Sequence, residues 1–82
     1  MLVEIITPRK IEFQGEAQVL TLPTTTGEIS VLSHHIPLVS ILKSGRMKVK
    51  TKEKDFNLDI EGGIIEVAKE NVTILLKDFN IE

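Results

Sequence analysis

Apolar residues recur at alternate positions in short bursts, and Gly, Pro, Asn and charged clusters separate the bursts. A period of two is that of a strand with one buried face. It predicts strands over Leu2–Thr7, Lys10–Phe13, Ala17–Leu22, Glu28–Val31, Leu38–Leu42, Arg46–Thr51, Phe56–Ile60, Ile64–Ala68 and Val72–Lys77. β-branched residues are frequent throughout, which suits a pleated, half-buried surface. The breaks have their own chemistry. Thr7-Pro8 forces an extended residue before the proline and ends the first strand. Gly15 and Gly27 supply turns. Pro37 lacks a ladder donor, so its strand starts at or after it. Gly62-Gly63 marks a bulge or a close backbone approach, and Lys69-Glu70-Asn71 a turn. The best helix candidate, Ile36–Leu42, is too short and carries a proline near its start. Short strands with close turns predict an all-β sandwich or small barrel, in a single domain over residues 1–82.

One strand register can be written down. With Glu53-Lys54 as a two-residue loop, Lys52 faces Asp55, Lys50 faces Asn57, Lys48 faces Asp59 and Arg46 faces Glu61. On the other face Thr51 meets Phe56, Val49 meets Leu58 and Met47 meets Ile60. One face is then apolar, and the other sets base against acidic or neutral groups. Glu-Lys suits poorly a tight turn that needs positive φ. A four-residue loop over Lys52–Asp55 with the same register beyond it is the variant.

Size and composition narrow the picture. At 82 residues the chain has room for one small domain, which buries roughly 60–65% of its unfolded surface. The formal net charge of −2 supports no global electrostatic argument. Cysteine is absent, which excludes disulfides and thiolate metal sites. No apolar run approaches the ~20 residues of a spanning helix. The first residues lack the basic start and apolar stretch of a signal peptide.

A catalytic constellation is not legible. There is no G-x-S-x-G elbow, and Gly62-Gly63 lacks the spacing of a phosphate-binding loop. His34 and His35 point to opposite sides of an extended chain, so no metal site is expected from them. The basic segment Arg46–Lys54 (Arg46, Lys48, Lys50, Lys52 and Lys54) suggests a nucleic-acid stripe. No aromatic residue interleaves it, and Asp55, Asp59 and Glu61 follow, so a solvated strand face accounts for it better.

Several ordered motifs carry a family resemblance. Ile6-Thr7-Pro8 precedes Phe13-Gln14-Gly15-Glu16, and Leu22-Pro23 precedes Gly27-Glu28. The longest block is Gly27-Glu28-Ile29-Ser30-Val31-Leu32-Ser33-His34-His35-Ile36-Pro37-Leu38, then Leu42-Lys43-Ser44-Gly45. Gly62-Gly63-Ile64-Ile65-Glu66-Val67 and Val72-Thr73-Ile74-Leu75 follow. Together they resemble the epsilon subunit of F-type ATP synthases, which usually reads Gly-Glu-x-Gly-Ile-Leu-Pro-x-His-x-Pro-Leu, then Leu-x-x-Gly. Ser30 stands where that family usually has glycine, and Ser33 where it usually has proline.

The resemblance implies a small two-sheet antiparallel β-sandwich of about nine to ten short strands. It implies a non-catalytic rotor subunit that couples the gamma subunit to the c-ring during proton- or sodium-driven ATP synthesis. Such a subunit sits peripherally on the cytoplasmic face of the cell membrane through its complex. The ring-facing loop implied by position is Thr26, Gly27, Glu28, Ile29, Ser30, Val31 and Leu32, with His35 nearby. Glu28 is placed to pair with an arginine of the ring. The gamma-facing residues are not assigned. The family's C-terminal helical hairpin is expected to be missing after Asn80-Ile81-Glu82. No inhibition of hydrolysis, cofactor, tight ATP binding or other small-molecule ligand is then expected. A small β-barrel binding nucleic acid through Arg46–Lys54 is the alternative.

Overall fold

The computed structural model describes residues 1–77. The expected chain end at Asn80-Ile81-Glu82 lies outside the described residues. Each strand predicted from the alternation forms, with bounds moved by a few residues: β1 Leu2–Ile6, β2 Ile11–Glu16, β3 Val19–Thr24, β4 Gly27–Leu32, β5 Leu38–Leu42, β6 Gly45–Lys50, β7 Asp55–Ile60, β8 Gly63–Val67 and β9 Asn71–Leu76. The strands form two layers joined at one corner. One layer runs β2-β1-β9-β8-β5, and the other places β4 and β6 on either side of β3, with β7 beyond β6. The corner is the pair Thr24–Leu42. Lys43 N donating to Pro23 O (3.0 Å) and Thr25 N donating to Ile41 O (3.1 Å) reinforce it.

The antiparallel expectation needs one correction, because β1 and β9 run parallel. A parallel pair needs a long crossover between its members. The whole intervening chain supplies it, so the first and last strands lie side by side in mid-sheet.

Alternate residues of each strand fill the space between the layers. Val3 and Ile5, Leu20 and Leu22, Met47 and Val49, Ile65 and Val67, and Val72, Ile74 and Leu76 all belong to one buried cluster. Phe13 and Phe56 flank it, with ring centroids 5.2 Å apart. Thr24 is a buried polar residue within this layer. Its hydroxyl donates to the Gly27 carbonyl and accepts from Thr26 N at 3.2 Å, tying the β3–β4 turn to the corner. Among the described residues no buried side-chain polar atom lacks a partner, as a stable interior requires.

The β6–β7 hairpin forms, but its register differs from the expected one. Val49 faces Phe56, not Leu58, and Met47 faces Leu58, not Ile60. Lys50 meets Asp55, Lys48 meets Asn57 and Arg46 meets Asp59; Lys52 lies in the loop, and Glu61 beyond β7. The turn centres on Lys52-Glu53 rather than Glu53-Lys54, which shifts the ladder by two residues. Thr51 is the reason. Its amide donates to Lys54 O at 2.9 Å. Its hydroxyl donates to that same carbonyl and accepts from Lys54 N at 3.0 Å. The side chain thus closes the turn as a threonine turn does, with no positive φ at Lys52 or Glu53. A two-residue shift keeps every side chain on its expected face. The lysine stripe still lies outside, opposite acidic or neutral residues.

The β4–β5 connection explains one departure from the family pattern. His35 N donates to Leu32 O at 3.1 Å, and His34 has φ 68°. That is the pattern of a type II turn, with Ser33 at the second position and His34 at the third. Proline favours that second position, and Leu32 before it is already extended. Ser33→Pro is therefore expected to raise stability by about 0.4–1 kcal/mol through a more restricted unfolded chain. Urea denaturation checks this; a loss of stability would contradict the turn assignment.

Candidate docking surfaces

The residues expected to form a ring-facing loop do not form a loop. Thr26 lies in the β3–β4 turn, Gly27, Glu28, Ile29, Ser30, Val31 and Leu32 are strand β4, and His35 follows in the next connection. The alternation of Ile29 and Val31 explains this, since both are drawn inward against the core. β4 therefore extends about 17 Å over five steps and separates Thr26 from His35. Val31 is fully buried and presents no side chain to a partner. Glu28, Ser30 and Leu32 alternate on the exposed side. β4 pairs only with β3, so among the described strands its far edge is open, and a partner there meets a strand edge with an outward carboxylate at Glu28. Ser30, where the family usually has glycine, sits at an ordinary strand position with its hydroxyl 3.5 Å from that of Thr21.

A second surface lies on the opposite layer and was not singled out from the sequence. Ile41 faces Ile64 across β5 and β8. Ile64 faces Leu75 across β8 and β9, and Leu75 faces Ile6 across β9 and β1. Ile6 faces Ile11 at an irregularity of the β1–β2 ladder. These five side chains make one apolar row across the outer face of the layer. Ile41, Ile64, Leu75 and Ile11 are 59%, 44%, 48% and 51% exposed. Val39, two residues before Ile41 and also exposed, lies in the neighbouring row, opposite Glu66. Beyond Val39 that neighbouring row is polar: Glu66 faces Thr73, which faces Glu4. Gln14 Nε2 donates to Glu4 Oε2 at 3.2 Å. The visible signal was a set of apolar doublets, Ile5-Ile6, Ile41-Leu42, Ile64-Ile65 and Leu75-Leu76, each giving one residue to the core and one to the outside.

His34 is exposed and His35 half-buried. Nδ1 of His35 lies 2.7 Å from the Ile36 carbonyl oxygen. Among the described residues no three His, Cys, Asp or Glu side chains cluster as metal ligands would. The described residues include no helix long and apolar enough to cross a membrane.

The sequence model of the family described as "ATP synthase, Delta/Epsilon chain, beta-sandwich domain" matches residues 1–81. The chain belongs to this family. The epsilon chain of the ATP synthase of Brevibacillus brevis is 36% identical over 76 residues, covering 92% of this chain and 58% of that protein. The chloroplastic epsilon chain of Tetradesmus obliquus is 41% identical over 76 residues, covering 93% of this chain and 56% of its own length. The chain thus spans little more than half the length of these relatives. In fold it is similar to a chain in the cryo-EM structure of the Euglena gracilis mitochondrial ATP synthase. The TM-score there is 0.87 at 24% identity, covering 93% of this chain and 49% of that one. The central stalk and c-ring structure of the Tetrahymena thermophila enzyme gives 0.82 at 19% identity, over 95% and 63%. Within the delta/epsilon family the curled two-layer sheet is the β-sandwich domain. The nucleic-acid alternative gains no support from these relatives. Cross-strand acidic and neutral partners account for the lysine stripe.

Proposed function

We propose that this domain is a non-catalytic part of the central stalk of an F-type ATP synthase, coupling the gamma subunit to the c-ring during proton- or sodium-driven ATP synthesis. One observation carries this reading. A domain of the delta/epsilon family has an open strand edge at β4 and an exposed apolar row, on opposite layers of one packed body. A coupling part must grip two partners at once and resist shear between them. Strands tied by hydrogen bonds around a close-packed core supply that stiffness.

In this assignment Glu28 and the exposed side of β4, with His35, meet the ring, and the apolar row meets the stalk. The assembly then sits at the cytoplasmic face of the membrane, and the domain reaches the membrane only through its partners. No small-molecule ligand is part of the reading, and turnover belongs to other subunits. Glu28→Arg tests it. The Glu28 side chain is exposed, and its backbone pairs with Pro23 in the β3–β4 ladder. The substitution sets like charge against the ring arginine that the family resemblance implies, and such juxtapositions cost several kcal/mol. Binding to the membrane sector is expected to weaken by about tenfold or more while copurification with gamma persists. Loss of gamma with the ring retained would reverse the two surfaces.

A further inference from the structure

We propose that the outer face of the β3-β6-β7 strands holds a site for one small oxyanion, inorganic phosphate, at Lys48 between Thr21 and Asn57. The site lies on the layer opposite the apolar row. It goes beyond the coupling reading, in which no small molecule takes part.

The strand registers define the face. Arg46, Lys48 and Lys50 of β6 point outward, since Met47 and Val49 between them are buried. In the β6–β7 ladder they meet Asp59, Asn57 and Asp55. Two of the three bases therefore have a carboxylate opposite, and Arg46 Nε donates to Asp59 Oδ1 at 3.1 Å. The middle base, Lys48, faces the uncharged Asn57. On its other side stands Thr21 of β3, and beyond Thr21 stands Ser30 of β4. This row crosses four strands without a carboxylate. Among the described residues Lys48 forms no ion pair, so the face carries one cation at its centre that its own neighbours leave unbalanced.

The shape of the face selects a compact anion. A hollow of about 340 Å³ is lined by Thr21, Lys48 and Asn57, with Val19, Lys50 and Asp55 at its side. Thr21 and Asn57 stand two strand spacings apart, about 9.6 Å. An ion can lie between them and take one hydrogen bond from each at ~2.8 Å. The Lys48 ammonium, on its flexible four-carbon stem, supplies the charge. A charge-assisted bond thus leads, and a hydroxyl and an amide orient the ion. The surroundings decide against a larger partner. Asp55 and Asp59 bound the row along β7, and Glu28 stands on β4 two residues before Ser30. A nucleic acid, an acidic peptide segment or an anionic membrane would set its charge against these carboxylates, and such juxtapositions are penalised. A single tetrahedral ion touches only the donors of the row.

The test is a titration of the isotopically labelled full chain with inorganic phosphate at constant ionic strength, followed by the chemical shifts of its amides. The shifts are expected to saturate, with a dissociation constant of roughly millimolar order, as suits one charged and two neutral bonds at an exposed site. They are largest at Thr21, Lys48 and Asn57. Lys48→Gln removes the charge and is expected to weaken binding about tenfold or more. Asn57→Asp gives Lys48 the carboxylate that Arg46 and Lys50 already face, and a comparable loss is expected. Both side chains are exposed, so the melting temperatures of the two variants stay within a few degrees of the parent. Shifts that do not saturate, shifts spread evenly over the other lysines, or unchanged binding in either variant overturn the proposal. So does binding to phosphatidylglycerol vesicles with no response to phosphate, which would make the face a lipid contact. None of these results touches the coupling reading, which stands or falls on copurification with the rotor.

Discussion

Gly63→Ala is expected to cost at least ~3 kcal/mol of folding stability, the sum of a backbone term and a steric one. Gly63 has φ 154°, a region essentially reserved for glycine, where another residue costs about 1–3 kcal/mol. A Cβ built there falls 2.2 Å from Leu75 O and 3.0 Å from Leu76 Cα. Those atoms are the backbone of β9, the strand to which Gly63 itself is paired. Relief means prying β8 from β9 at that end of the pair. A domain of this length has a total stability of roughly 4–12 kcal/mol, so the variant loses a large share of it. At ~4–8 °C per kcal/mol its midpoint falls by more than about 12 °C. Gly62→Ala is the internal comparison: its φ is 124°, but the nearest backbone atom is Leu42 O at 3.3 Å, so only the backbone term applies in full. Thermal unfolding followed by circular dichroism ranks the two. Equal midpoints, or a Gly63→Ala midpoint within a few degrees of the parent, would sink the close-approach account.

That close approach was legible in outline, because a glycine pair before an apolar run has few other uses in a strand. The strands were legible for a related reason. Residues such as Val3, Ile5, Met47 and Val49 alternate with polar neighbours, and only a half-buried strand needs that pattern. What alternation does not report is which strand lies beside which. The parallel β1–β9 pair joins residues some seventy positions apart, and no local pattern records a contact at that distance. The hairpin register failed for a smaller cause. Alternation fixes parity, so it placed Met47 and Val49 inward correctly. It leaves shifts of two residues open, and the choice fell to the hydroxyl of Thr51, whose bonds to Lys54 fold the turn one residue earlier.

The docking surfaces divide in the same way. Glu28 was named from a motif, and the structure places it outward on an open edge. The resemblance implies a loop at this motif, whereas the alternation of Ile29 and Val31 predicts a strand over Glu28–Val31, and the strand β4 forms. Ile6, Ile41, Ile64 and Leu75 are hard to recognise as a row because each sits next to a core residue. Ile64 beside Ile65 reads as one apolar run, and a strand buried on both faces has that appearance. Only the ladder shows that Ile41, Ile64, Leu75 and Ile6 line up on one outer face.

The distinction between the two faces predicts opposite results for two large-to-small changes. Leu22→Ala is expected to cost ~2–5 kcal/mol, the range for removing a buried leucine side chain. Leu22 is fully buried, in the strand that borders β4 along its length and reaches β5 at Thr24. Its neighbours are held by two ladders and the corner, so the site cannot collapse freely and the cavity persists. That places the cost toward the upper half of the range, a fall in midpoint of roughly 14–40 °C at ~4–8 °C per kcal/mol. Ile41→Ala removes a similar number of carbon atoms from a side chain that is 59% exposed. In the isolated chain it is expected to change stability by less than about 1 kcal/mol. In the assembled stalk the order of effects reverses for binding. Ile41→Ala uncovers part of the apolar row and weakens retention, while Leu22→Ala leaves the docking atoms in place in whatever fraction remains folded. Urea titration of each purified variant measures the first quantity, and copurification with the stalk below both midpoints measures the second. If Ile41→Ala destabilised the isolated chain as much as Leu22→Ala, the outer row would belong to the core and would not be a docking face.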